Sequence, residues 1–160
     1  MNNNFKLDAL DKKLKVLIVF FTITLSIGFY TGISFVHLTT QGTPKGIGEN
    51  YLGNEEDMEA EVMKFKKSKH EMLNILHTHF LSLSLIFFVL ALLVYGSNCP
   101  EKLKWGLMTE PLLSVLMTFG GIYFLWTGVE WMVYVIIISG SLMTLSYTLS
   151  VLLIWKSLLR

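Results

Sequence analysis

The chain has 160 residues, of which 52% are hydrophobic and 16% charged, with a net charge of +1. Soluble domains carry about 25% charged residues, so a charge deficit concentrated outside long apolar runs points to a bilayer as the solvent. The near-neutral balance leaves no basic stripe for nucleic acid, and the single cysteine, Cys99, excludes an intrachain disulfide or a thiolate metal cluster.

The first apolar run spans Leu14 to Val36. Lys12, Lys13 and Lys15 lie at its start, as in the n-region of a secretory signal, but the run is too long and lacks a small-residue cleavage site. It is therefore expected to be a retained helix. Ser26, Tyr30 and His37 share one face of it. Gly28 and Gly32 form a small-xxx-small pair on the opposite face, a pattern that permits close approach of a second helix.

Leu38 to Glu71 is the sizeable segment outside the apolar runs. Thr39 to Gly53, rich in Gly, Thr and Asn and holding Pro44, reads as a loop. Asn54 followed by Glu55, Glu56 and Asp57 reads as an N-cap with an acidic first turn. Met58, Val62 and Phe65 recur at helical spacing. An amphipathic external helix leading into the second span is therefore predicted, either a surface lead-in or a lid or docking element.

The second span runs from about Met72 to Tyr95 and carries His77 and His79, with His70 just before it. At about 100° per residue, His70 and His77 fall within about 20° of each other, near Asn74, Ser84 and Phe88. His79 falls about 200° from His77. His77 is thus expected to face the bundle interior, and His79 a neighbouring helix, a lateral groove or a partner.

The third span runs from about 107 to Trp126 and the fourth from Trp131 to Trp155. Glu110 precedes Pro111, and proline favours the first helical position, so Glu110 reads as the helix entrance. Ser114, Met117, Gly121 and Gly128 align on one span, and Ser139, Ser146 and Ser150 on the other. Each span approaches the ~20 residues needed to cross the hydrocarbon. All four tryptophans fall at span ends, with Trp105 and Trp155 on one face and Trp126 and Trp131 on the other. The fold class is all-α: an antiparallel bundle of four transmembrane helices, a single membrane domain over residues 1–160.

Orientation follows from the lysines and arginine. Lys6, Lys12, Lys13, Lys15, Lys102, Lys104, Lys156 and Arg160 share one side, which the positive-inside rule makes cytoplasmic. Lys45 and the Lys64 to Lys69 cluster lie on the other and oppose the rule locally. The expectation is a multi-pass protein of the cell inner membrane with both termini cytoplasmic.

All four histidines gather at the external face, and ionisable groups near a span invite a functional reading. No nucleotide loop, hydrolase triad, zinc-protease motif or dinucleotide fingerprint is present, so a stand-alone enzyme is not expected. Three readings of the histidines stand side by side. A b-type haem would take two neutral imidazoles from different helices, with His37 and His77 preferred, His79 the substitute for His77, and His70 nearby. Copper or zinc would use the same imidazoles with Met58, Met63, Met72 or Glu130. Without a cofactor the rings would cap helices or sit at the headgroup level. The corresponding functions are an electron-transfer subunit, alone or in a larger redox complex, and a cofactor-free scaffold, assembly or interaction protein. Docking would then use residues Glu55 to Lys69, and a homodimer would form through Gly28 and Gly32.

Overall fold

Asp11 opens the first helix by accepting the Leu14 N–H at 3.0 Å, and the apolar run then continues without interruption to Thr40. The computed structural model describes residues 5–58, 60 and 62–159, so Arg160, one of the residues used for orientation, lies outside them. Five helices follow one another: α1 (Lys12–Thr40), α2 (Pro44–Leu52), α3 (Lys69–Tyr95), α4 (Glu101–Trp126) and α5 (Met132–Leu158). All but α2 are long and apolar enough to cross a membrane. The predicted all-α architecture of four spans is the one observed, with one short non-spanning helix before the second span.

That short helix lies earlier than the sequence pattern suggested. Thr43 caps it through the Gly46 N–H, Pro44 takes the first helical position, and Gly53 at φ 85° ends it. The stretch beyond, in which residues 59 and 61 are not described, contains no helix among its described residues until Lys69. Asn54 is no N-cap here. Its side chain accepts the Lys64 N–H and donates to the Val62 carbonyl, closing the neck of a loop. Short amide side chains compete in this way with helical main-chain bonding. Helix α3 begins instead at a capping box, in which Ser68 and Glu71 satisfy each other's backbone N–H groups.

α2 and the segment after it cover one end of the bundle. Ile47 is buried beneath α2, and α2 packs on both α4 and α5. The Trp126 indole donates to the Lys67 carbonyl at 2.7 Å, and the Lys67 N–H to the Tyr51 carbonyl at 3.1 Å. Lys64 reaches both Glu49 and the Thr39 carbonyl. At the opposite end Leu7 is fully buried, and its N–H bonds the Gly96 carbonyl at 2.9 Å.

Within the spans, α4 packs closely along both α3 and α5, whereas the α1 backbone comes close only to that of α5 among the other spans. The α4–α5 pair is held by a buried Thr118–Ser139 hydroxyl contact of 2.7 Å and by Gly121, where an added Cβ would meet Ile136 at 3.1 Å. α1 is fastened by polar contacts to α5: Trp155 Nε1 donates to Thr22, Ser26 meets Tyr147, and Tyr30 meets Thr148. Most other span hydroxyls, such as Thr31, Ser34, Ser82 and Thr144, bond carbonyls one turn back. That back-bonding satisfies a hydroxyl inside hydrocarbon without a partner helix.

Candidate functional site

The four histidines lie near the α2 end of the bundle in three different settings. His37 occupies the last turn of α1 and is exposed, and its carbonyl accepts the Gln41 N–H. Its ring lies over Gly42, where a Cβ would stand 3.0 Å from Nδ1. His70, in the first turn of α3, and His77 are both exposed. His79 is partly buried, with Nδ1 2.7 Å from the Ile75 carbonyl and its ring stacked on Phe119 of α4 at 4.6 Å. A carbonyl oxygen accepts, so Nδ1 of His79 is the donor in this contact.

This placement corrects one expectation. His79, not His77, is the inward-facing histidine of α3, and the neighbouring helix it meets is α4. The buried face of α3 is set by Met72, Phe87, Leu90 and Val94. At about 100° per residue His79 falls about 20° from the Met72 direction, whereas Asn74, His77 and Ser84 fall on the far side. The large apolar side chains chose the rotation, and the polar stripe was left exposed.

Helices α1 and α3 meet through Phe29 and Phe87, whose ring centroids are 6.3 Å apart. From that contact α1 climbs about 12 Å to His37, and α3 runs back about 15 Å to His77, at 1.5 Å per residue. The two exposed imidazoles thus stand at similar heights on two helices whose backbones make no close approach. Leu73 falls within about 40° of the Phe87 direction on α3. It is nevertheless 51% exposed. Ile33 and His37 on α1 and Leu73 and His77 on α3 thus lie on the α2 side of the Phe29–Phe87 contact.

The methionines weighed as metal ligands are not gathered there. Met72 is fully buried, while Met58 and Met63 are exposed in the loop after α2, and Glu130 is exposed in the α4–α5 turn. Among the described residues, no group of three or more His, Cys, Asp or Glu is placed to hold a metal ion.

Glu110 departs from the sequence reading. α4 begins at Glu101, so Glu110 and Pro111 lie within the spanning helix and not at its entrance. One carboxylate oxygen accepts from Ser114, and the other, Oε2, is buried with no partner. The overlooked signal was Glu101 with Lys104, an ion pair at helical spacing that marks an earlier helix start.

Residues 41–160 match the family model Aq_1264_TM, described as a transmembrane helical domain. The match begins at the residue that caps α1, so it takes in α2 and three of the four spans. Comparisons with curated proteins and with solved structures find no match.

Proposed function

We propose, for a chain that belongs to this family of transmembrane helical domains, the role of a small integral membrane subunit whose working face is the α2-end portion of α1 and α3 that carries His37 and His77. The observation that carries this reading is the position of His37 and His77. Both are exposed, and they stand on α1 and α3, on the α2 side of the Phe29–Phe87 contact. Their chemistry fits b-type haem: two neutral imidazoles from separate helices, beside apolar walls supplied by Ile33 and Leu73. Haem bound there would supply one-electron transfer, and the chain's part would be to hold the ring and fix the imidazoles. With the termini on the cytoplasmic side of an inner membrane, as the lysines suggest, electrons would be exchanged at the external face with a larger redox complex. Copper or zinc on the same two rings is the other cofactor consistent with this donor set.

A cofactor-free interaction subunit is the second reading, and the family boundary favours it. α1 lies before the matched residues, and only 11% of its most apolar stretch is buried. Such a helix is suited to seat a partner's span.

Absorption spectra of the purified protein, oxidised and reduced, decide between the two. The haem reading expects a Soret band that His37→Ala and His77→Ala each abolish or shift. No band after expression with ample haem, together with a blank metal analysis, leaves the interaction reading. Photo-crosslinking from Phe35 and Leu73 should then capture a second polypeptide.

A further inference from the structure

Glu110 is the described residue whose buried side-chain oxygen has no partner. It lies about 13 Å along α4 from Glu101, at 1.5 Å per residue, and well inside the level of Trp105. Ser114 donates to Oε1, leaving Oε2 buried and bare. Pro111 has no N–H, so the carbonyl of Leu107 loses its usual helical partner and presents another oxygen one turn away. On the same stripe, one turn further, Thr118 contacts Ser139 of α5.

The charges around this carboxylate are sparse. Among the described residues, no ion pair involves Glu110, and Lys104 on its own helix is taken by Glu101. α3 runs past at the level of Phe87 to Leu90, as fixed by the Lys104–Tyr95 and Phe119–His79 contacts, and brings no titratable group there. α5 brings Ser146, Tyr147 and Ser150, as fixed by Thr118–Ser139, and the Tyr147 hydroxyl is engaged with Ser26. α1 makes no close approach to α4, and α2 lies at the other end. A carboxylate so placed has no built-in counter-charge, and an uncompensated anion in a span is costly.

We propose that Glu110 is an exchange site for a small monovalent cation, a proton or a sodium ion, bound at Oε2 with the Leu107 carbonyl as a further oxygen. In the proton case hydronium gives its proton to Oε2 and leaves as water, and release reverses the step. In the sodium case the ion sheds part of its hydration for the same oxygens. This site is separate from His37 and His77 and does not depend on what they hold.

The test is labelling of the full chain in liposomes by dicyclohexylcarbodiimide, which adds to protonated carboxyls, with the site assigned by peptide mass mapping. Labelling at Glu110 should fall severalfold from an acidic to an alkaline buffer, because the reagent adds only to the protonated carboxyl. Replacing choline by sodium at fixed pH leaves the rate unchanged if the proton is the ligand, and slows it severalfold if sodium is. Either pattern supports exchange. Absence of label at Glu110 throughout that range, while detergent-denatured protein labels, would overturn the proposal. A rate insensitive to both pH and sodium would do so as well, as would the same label persisting in Glu110→Gln.

Discussion

Phe29 of α1 lies flat against Tyr147 of α5, with ring centroids 3.9 Å apart and planes 10° from parallel. The Tyr147 hydroxyl then reaches Ser26 at 3.0 Å, so one tyrosine holds α1 by its face and by its edge. This matters because α1 has few other close approaches to the bundle.

Separating those two contributions gives the first prediction. Tyr147→Phe keeps the stack and loses the hydroxyl contact. A double-mutant cycle with Ser26→Ala should return a coupling of about 0.6 kcal/mol, and no more than about 1.7 kcal/mol, as interhelical hydrogen bonds in bilayers do. Phe29→Ala should cost more than either, because it removes the stack and its contact with Phe87. Reversible unfolding in mixed micelles measures all three.

The opposite end of the bundle depends on a missing side chain. A Cβ at Gly96 would stand 2.4 Å from the Phe5 ring, although its φ of −78° suits any residue. Gly96→Ala should therefore displace Phe5 and the buried Leu7 at a cost of about 1–3 kcal/mol, the usual scale of overpacking. Faster proteolysis at Lys6 and Lys12 is the expected signature, with the spans left intact.

Trp126 ties the segment after α2 to the end of α4. Trp126→Phe keeps a ring under Lys66, which now lies 5.6 Å from the indole centroid, but loses the bond to Lys67. The expected loss is about 0.5–1.5 kcal/mol, read as faster tryptic cleavage at Lys64, Lys66 and Lys67. An unchanged cleavage rate would mean that this bond does not hold the segment.

Alkaline pH should loosen the same cover. The hydrogen bond and charge of Asp57, with the charge of Glu49, raise the Lys45 ammonium above its ordinary 10.5. Burial raises the Tyr51 phenol above its ordinary 10.0. Both groups hold their protons more tightly when folded. Their contribution is therefore complete below the ordinary values and lost as pH rises through the raised ones. Tryptic cleavage around Lys64 should accelerate above about pH 10, and Tyr51→Phe with Lys45→Gln should flatten that rise. A rise of equal steepness in the double variant would place its origin elsewhere.

The histidines show where reading the sequence stops. Their places near the ends of the first two spans followed from counting along the chain, but among the described residues they form no metal-holding group. Which of His77 and His79 faces inward did not follow, because a span surrounded by lipid has no polar side to mark its outside. The packing of Met72, Phe87 and Leu90 against α4 and α5 decided it. The external helix was expected from composition, but its position depended on whether Asn54 capped a helix or clasped Lys64, and the clasp prevailed.

Four spans, their approximate ends and the tryptophans at those ends were determined by the sequence alone. Each span buries its backbone polar groups within itself, and hydrocarbon selects apolar runs one segment at a time. The rotation of α3, the depth of Glu110 inside α4 and the separation of α1 from α3 were decided only in the tertiary structure. Those features arise from pairwise contacts such as Phe29 on Tyr147 and His79 on Phe119, and no single span contains both halves of such a contact.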